Sequence, residues 1–202
     1  MTITALKRQV KRAGRVSVFV DGKFAFGLSD GALLDSGIIV GQELSGEKLK
    51  ELRQFADDDK LYGKALNYVA LRPRSRWEVE VYLSRNHCSP ALKEELLNKL
   101  SNAGLLNDVA FARMWIANRR LLKPTSRRTI SLELRAKRVS DAAIAEALAE
   151  DASDADDVAL RQLIAKKRRS NPDEQKLLAY LARRGFSYEA IKSALAAEAE
   201  ES

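Results

Sequence analysis

Hydrophobic and polar positions follow two different periods along this chain. In the first forty residues, "RVSVFVDGKFAFGLS" contains two β-rich runs, at 16–20 and 23–28, on either side of Asp21-Gly22. Asp-Gly supplies the positive φ angles that a tight hairpin turn requires. We therefore predict a hairpin here, with "TITALKRQV" as a third strand, followed by a short helix at 29–35 and a brief β-like patch at 38–40.

From residue 45 onward the apolar spacing is helical, and it repeats. Each copy has a leucine, a serine six residues later and a second leucine eight residues after that. The copies are Leu83-Ser89-Leu97, Leu134-Ser140-Leu148 and Leu181-Ser187-Leu195. Before them come the segments "GKALNYVALR", "FARMWIANRR" and "LRQLIAKKRR", which all end in basic residues. This pattern predicts a mainly α protein with three tandem three-helix, helix-turn-helix-like units in an elongated, curved molecule, rather than a compact four-helix bundle.

Helix-capping residues place the boundaries of these units. Ser75 and Glu78 form a capping box, Ser89-Pro90 and Asn171-Pro172 are helix starts, and Ser140 and Ser187 are equivalent caps. We expect an N-terminal β-rich module at 1–44, a linker helix with repeat 1 at 45–107, repeat 2 at 108–152 and repeat 3 at 153–202. Whether a helix at 45–55 continues into repeat 1 stays open.

The stretch "LARRGFSYEAIKSAL" predicts a joint between two helices. Gly185 is interpreted as the left-handed end of one helix, and Ser187 as the cap of the next. The two other repeats have Asn86-His87 and Arg138-Val139 at this place. Since arginine adopts the left-handed conformation less readily than asparagine, we expect the joint of repeat 2 to be shaped differently.

Charge indicates a polyanionic partner. The chain has 35 Lys and Arg against 28 Asp and Glu, with a pI near 9.5. Residues 113–138 carry nine cations and one anion, and the basic segments recur at one place in each repeat. Stacking would align them into a stripe suited to a phosphate backbone. The candidate contact residues for nucleic acid and its protein filament are Arg74, Arg76, Arg119, Arg120, Lys123, Arg127, Arg128, Arg135, Lys137, Lys166, Lys167, Arg168, Arg169, Arg183 and Arg184.

No catalytic constellation is evident in the sequence. The single histidine, His87, adjoins the single cysteine, Cys88, and both are interpreted as turn residues. The acidic run "DASDADD" at 151–157 is interpreted as a solvated linker. Because both a catalytic constellation and the phosphate-binding glycine motifs are missing, we predict that the protein is not an enzyme and binds no cofactor or metal. One cysteine, no signal-peptide core and no long apolar run favour a cytoplasmic protein, with a monomer as the expected state.

Aromatic residues offer base stacking as a second mode of contact. The candidates are Trp77, Tyr82, Phe111, Trp115 and Phe186. The i, i+4 spacing of Phe111 and Trp115 on an apolar face favours core packing for that pair.

Three segments resemble the RecX regulators of the RecA recombinase: "LRPRSRWEVEVYL", "GLLNDVAFARMWIANR" and "LARRGFSYEAIKSAL". The resemblance covers residues 58–197 and implies a modulator that binds RecA filaments on single-stranded DNA. It further implies suppression of ATP hydrolysis, strand exchange and co-protease activity, with consequences for DNA repair and the SOS response. Two alternatives stay open: a standalone helix-turn-helix DNA-binding protein, such as a transcription factor with duplex DNA as its partner, and a repeat scaffold for another acidic protein.

Overall fold

The chain folds into a small antiparallel sheet followed by helices. The computed structural model describes residues 1–10, 12–168 and 173–200, with side chains described as far as residue 198. The strands are β1 (Ile3–Arg8), β2 (Arg15–Val20) and β3 (Lys23–Ser29). The helices are α1 (Asp30–Ser36), α2 (Gly46–Ala70), α3 (Arg76–Arg85), α4 (Pro90–Asn102), α5 (Asp108–Leu122), α6 (Arg127–Ala136), α7 (Asp141–Ala149), α8 (Ala155–Arg168), α9 (Glu174–Arg183) and α10 (Tyr188–Glu200). This architecture confirms the predicted mainly α class with an N-terminal β module.

The chain is divided into two compact units. The first comprises Met1–Leu71 and Val81–Leu100, and the second comprises Arg72–Glu80 and Ser101–Ser202. The division passes through α3, so the start of that helix is counted with the later repeats.

The N-terminal sheet has the order β1-β2-β3. Asp21 and Gly22 connect β2 to β3 with φ angles of 48° and 79°, as the Asp-Gly signal predicts. One face of the sheet packs on α2 through a core that includes Val18, Leu28 and Leu52. The hairpin, the third strand and the short helix α1 are confirmed.

Residues 38–40 form no strand. Ile38 is buried, while Ile39 and Val40 are exposed. The chain turns directly afterwards, where the N–H of Gln42 donates to the carbonyl of Ile39 at 3.3 Å and Gly41 has a φ of 89°. A segment that turns so soon has no length over which to pair.

Helix α2 is continuous over 25 residues, so the predicted helix at 45–55 and the first helix of repeat 1 are one element. Ser45 caps it by accepting from the N–H of Lys48 at 3.1 Å. Asp59 ties α2 to the sheet, since it accepts from both the N–H and the hydroxyl of Ser29, at 2.9 and 2.6 Å. Arg15 lies 3.3 Å from the same carboxylate.

The second and third repeats each enclose a hydrophobic core of their own. Helices α5, α6 and α7 bury Phe111, Ile130 and Ile144 among others. Helices α8, α9 and α10 bury Leu160, Leu181 and Ile191 in the same way. Each core thus contains buried side chains from every helix of its repeat, as the tandem three-helix pattern predicts.

All three joints between second and third helices have the same geometry. The residue four positions after the first leucine of each repeat pattern is left-handed: His87 (φ 60°), Arg138 (φ 59°) and Gly185 (φ 87°). In each, the next N–H donates back to that leucine's carbonyl, at 3.2, 3.2 and 3.4 Å, which closes a Schellman-type turn. The expectation of a different joint in repeat 2 is therefore wrong. Val139 is buried directly after Arg138, and its packing outweighs the local preference of arginine.

The predicted caps are also observed. Ser75 Oγ accepts from the N–H of Glu78 at 3.2 Å, and Glu78 accepts in return from the N–H of Ser75 at 3.4 Å. Ser89, Ser140 and Ser187 cap α4, α7 and α10. The predicted helix start at Asn171-Pro172 lies outside the described residues, and the observed cap of α9 is Asp173.

Candidate nucleic-acid and filament interface

In the second unit, an aspartate of the following repeat caps the second helix of the preceding one. The N–H of Arg76, which opens α3, donates to Asp108 Oδ1 at 2.8 Å. The N–H of Arg127, which opens α6, donates to both carboxylate oxygens of Asp156 at 3.0 and 3.1 Å. Helix N-termini have unpaired N–H groups and a positive dipole end, so an acid stabilises them. Burial nevertheless raises the pKa of Asp108, against the lowering effect of the Arg76 N–H.

Arg120 and Arg127 are held by the acidic segment between repeats 2 and 3. Arg120 Nη2 donates to Asp151 at 2.6 Å and to Asp156 at 2.8 Å, and its Nη1 donates to the carbonyl of Thr125 at 2.7 Å. Arg127 Nε donates to the same oxygen of Asp151 at 3.2 Å. The Asp151 side chain is only 7% exposed, so the interpretation of this segment as a solvated linker is wrong at that residue.

The electrostatics of this cluster favour the charged form of Arg120, and both arginines are paired within the protein. Burial acts to lower the pKa of Arg120, but hydrogen bonds and the charges of Asp151 and Asp156 outweigh it, and the pKa is raised. Arg127 also donates to the backbone carbonyls of Asp151 and Ala152, at 2.8 and 2.9 Å. All three guanidinium nitrogens of Arg120, and Nε and Nη2 of Arg127, thus have partners within the protein.

Trp115 lies between two more of the predicted cations. The guanidinium of Arg119 and the ammonium of Lys137 are each 4.7 Å from its ring centroid. Arg119 Nε donates to Glu133 at 2.6 Å, and Lys137 Nζ donates to Glu78 at 2.8 Å. Both cations are therefore neutralised within the second unit.

Glu78 is the partner that joins Lys137 to the capping box of α3. Burial acts to raise the pKa of Glu78, but hydrogen bonds from Lys137 and Arg72 lower it below its ordinary value. The carboxylate is thus ionised at neutral pH and holds both cations.

In the third repeat, Lys167 and Arg184 pack on Tyr180, and Arg168 pairs with an acid. Lys167 Nζ lies 5.2 Å and the Arg184 guanidinium 5.3 Å from the Tyr180 ring centroid. Arg168 forms an ion pair with Glu198. Arg169 lies outside the described residues.

The backbone of the third joint contacts repeat 2 directly. The carbonyl of Arg184 accepts from Ser126 Oγ at 3.0 Å and from Thr129 Oγ1 at 2.9 Å. A Cβ on Gly185 would lie 2.4 Å from each of those two oxygens. Glycine is needed here for close approach as well as for its φ angle.

A smaller set of predicted cations stays exposed. Within the described part of the chain, Lys123, Arg128, Lys166 and Arg183 are exposed and form no ion pair. Arg135 contacts Asp141 at 2.7 Å, but both side chains are more than half exposed, and such pairs contribute little. We call Lys123, Arg128, Arg135, Lys166 and Arg183 the exposed cations. Arg74 and Arg76 are half-buried and have interactions of their own.

Helix α6 carries two of the exposed cations on its solvent face. Arg128 and Arg135 are seven residues apart, on the side opposite the buried Ile130 and Leu134. Leu132, 55% exposed, belongs to the same face. Arg138 is exposed as well; it belongs to the predicted basic run at 113–138 but was not among the predicted contacts.

The predicted aromatic and turn residues fall mostly in the interior or at joints. Phe111 and Phe186 are core residues, and Tyr82 stacks on Tyr68 with ring centroids 4.2 Å apart. Trp77 remains 37% exposed. His87 and Cys88 lie at the first joint, as predicted. The pKa of the Cys88 thiol is raised, mainly by burial and to a smaller extent by the negative charge of Asp58.

The described residues contain neither a cluster of metal-ligating side chains nor a membrane-spanning helix. Among them, no three His, Cys, Asp or Glu side chains come together as a metal site. No helix in this part of the chain has the length and apolar character needed to cross a membrane.

Family models match three segments of the chain. They are the regulatory protein RecX N-terminal domain at residues 1–45, the RecX second three-helix domain at 107–148 and the RecX third three-helix domain at 155–195.

Curated relatives carry the name regulatory protein RecX. That of Listeria innocua is 29% identical over 200 residues, covering 96% of this chain and 74% of the relative. That of Bacillus subtilis is 29% identical over 199 residues, covering 96% and 75%. That of Lactobacillus delbrueckii subsp. bulgaricus is 32% identical over 148 residues, covering 73% of this chain and 54% of the relative. The chain thus matches about half the length of the last relative.

Solved structures support the same fold. A crystal structure of regulatory protein RecX superposes with a TM-score of 0.78 at 24% identity, covering 95% of this chain and 98% of that one. The crystal structure of RecX from Lactobacillus salivarius gives a TM-score of 0.62 at 28% identity, covering 69% and 96%.

Proposed function

Because this chain belongs to the RecX family of regulatory proteins, we propose that it binds RecA filaments on single-stranded DNA and inhibits their recombinase, ATPase and co-protease activities. It would thereby modulate DNA repair and the SOS response as a non-enzymatic regulator acting in the cytoplasm as a monomer. The observation that carries the proposal is the match of RecX models to the N-terminal module and to two successive repeats.

The exposed cations supply the contacts with anionic groups of the filament. Arg120, Arg127 and Lys137 are held by buried or half-buried carboxylates, so they maintain the repeats instead. Arg128 and Arg135 face solvent on one side of α6 and exchange a weak or absent partner for phosphate or carboxylate at low cost. Contacts of this kind give affinity that falls steeply with salt, and little sequence selectivity.

The direct test is a titration of DNA-stimulated RecA ATPase activity. We expect inhibition by the intact protein, and unchanged hydrolysis at both substoichiometric and stoichiometric amounts would refute the proposal. Reversing Arg128 and Arg135 to Glu should weaken inhibition while leaving the melting temperature within a few degrees. Arg127 is left out of this variant because a glutamate there would face the buried Asp151.

A matched variant combines Lys50→Glu with Lys192→Glu, two solvent-exposed lysines that are not among the five residues named the exposed cations. It changes the net charge equally. If it weakened inhibition as much as the α6 variant, the effect would come from overall charge and not from α6.

The alternative, a standalone helix-turn-helix reader, places the N-terminus of a recognition helix against base edges. In repeat 2 the N-terminus of α6 contacts Asp156, and Ser126 and Thr129 donate to the Arg184 carbonyl, so α6 is not free to act as that helix, and a reader would have to use α7. A gel-shift competition showing strongly sequence-selective duplex binding would favour the alternative. Weak, salt-sensitive binding would count against it.

A further inference from the structure

Within the described residues of the first unit, no helix covers one face of the three-stranded sheet. Along β2, Val16, Val18 and Val20 are buried, and the intervening Ser17 and Phe19 point to the other side. The register places Lys7 of β1 opposite Ser17, and Phe24 of β3 opposite Phe19. We call the side containing Lys7, Ser17, Phe19 and Phe24 the outer face.

Two aromatic rings and a lysine meet on the outer face. The rings of Phe19 and Phe24 form an edge-to-face pair with centroids 6.1 Å apart. Lys7 Nζ lies 5.2 Å from the Phe19 centroid. Phe24 is 60% exposed, the largest exposure among the six phenylalanines of the chain. The pair thus holds one ring in a fixed orientation with much of its surface open to a ligand.

A basic groove begins at this ring. It has a volume of 400 Å³ and runs beside β3, which is an edge strand, toward α2. Three solvent-exposed basic side chains, Arg12, Arg53 and Lys60, line the groove, and one exposed acidic side chain, Asp57, lines it as well. Arg15 lines it too but pairs with Asp59. The groove therefore has a net positive charge next to an open aromatic surface.

An irregularity in β3 decides which anionic ligand fits. Val18 pairs with Phe26 and Phe19 pairs with Phe24, so Ala25 is an extra residue that forms a β-bulge. The bulge places Phe24 on the same side as Phe19, and it interrupts the regular edge that an added peptide strand would need. Base stacking needs only the ring, and a phosphate chain needs only the cations.

We propose that the outer face and this groove bind single-stranded nucleic acid. A base stacks on Phe24, and the adjoining phosphates follow the groove past Arg12, Arg53 and Lys60. Exposed aromatics beside a basic channel are the two elements with which sequence-independent single-strand binders hold their ligands. This surface belongs to the first unit and uses none of the exposed cations of repeats 2 and 3.

The test compares two fluorescent ligands of equal charge: an oligothymidylate of about 12 nucleotides, within the usual single-strand site size, and an abasic strand of the same length. Phe24→Leu keeps an apolar side chain but removes the π surface. We expect it to weaken oligothymidylate binding about fivefold or more, the lower end of measured stacking effects, and to leave the abasic strand nearly unchanged.

Phe55→Leu is the matched control, since Phe55 is a partly exposed phenylalanine of α2 that does not line this groove. It should affect neither ligand. If Phe24→Leu left oligothymidylate binding unchanged, or weakened both ligands equally, stacking on Phe24 would be refuted.

Charge is tested separately with Arg12→Glu and Lys60→Glu. Both should weaken both strands and reduce the salt dependence of binding. Competition by a polyglutamate peptide as effective as competition by oligothymidylate would overturn the assignment in favour of an acidic peptide.

These binding experiments and the RecA ATPase titration distinguish a failure of this inference from a failure of the proposed function. A protein that shows Phe24-dependent binding but no effect on RecA ATPase would contradict the RecA proposal alone. One that inhibits RecA and binds both strands equally, with or without Phe24, would contradict this inference alone.

Discussion

Gly185→Ala is the substitution with the sharpest structural expectation. The new Cβ would lie 2.4 Å from both Ser126 Oγ and Thr129 Oγ1, far inside van der Waals contact. An L-residue at this φ of +87° costs about 1–2 kcal/mol. Relief of the clash separates the Arg184 carbonyl from its two hydroxyl donors, at about 1 kcal/mol for each bond.

Together these terms predict that Gly185→Ala lowers the free energy of unfolding of the second unit by about 3–4 kcal/mol. A loss of that size corresponds to a melting temperature lower by about 10 °C in a protein of this length. Urea denaturation followed by circular dichroism measures it.

Gly104→Ala separates the packing effect from the backbone effect. Gly104 belongs to the same unit and is also left-handed, with a φ of +71°, but a Cβ added there would meet nothing within 4 Å. It should lose only the backbone cost of about 1–2 kcal/mol. Equal destabilisation by the two substitutions would refute the close approach of the third joint to repeat 2.

Three further predictions follow from the same contacts. Arg138→Gly should stabilise the protein by about 0.5–1 kcal/mol in urea denaturation, because glycine accepts the left-handed φ without strain; a loss would show that the arginine side chain matters more. Arg120→Gln should destabilise it by about 3 kcal/mol, and Arg128→Gln by under about 0.5, since only the first removes a charged partner from the buried Asp151; similar values would contradict the assignment. The lowered pKa of Glu78 means that its stabilisation is present above the unfolded pKa and is lost as pH falls through the folded one. Lys137→Met should therefore cost stability at pH 7, and progressively less as pH falls below the ordinary glutamate pKa of about 4.3 toward the lower folded value, in melting curves over pH; a pH-independent cost would contradict the ion pair.

The sequence predicts well whatever depends on neighbouring residues. Asp21-Gly22 defines the hairpin and the serine caps define helix starts, because each of these signals acts within about one turn of chain. The leucine spacing reveals the repeats because it recurs three times along the chain. The left-handed Arg138 escapes this logic. Its conformation follows from the burial of Val139 in a core assembled from three helices.

The candidate site was harder to predict for a related reason. A run of arginines does not show which of them find acids, and their partners are distant along the chain. Arg120 reaches Asp156 across 36 residues, and Lys137 reaches Glu78 across 59. Only the stacking of repeats brings these pairs together, so the sequence overestimates the free basic surface.

The capping of α3 and α6 by an acid of the following repeat has a consequence for synthesis on the ribosome. The acid that caps Arg76 is 32 residues downstream, and the one that caps Arg127 is 29 residues downstream. At about 5–20 residues per second, the helix waits about 2–6 seconds for its partner to emerge. Helix α6 of repeat 2 therefore cannot form its N-terminal cap until Asp156 of repeat 3 has been synthesised. Repeats 1 and 2 each complete their folding only after part of the next repeat has been translated.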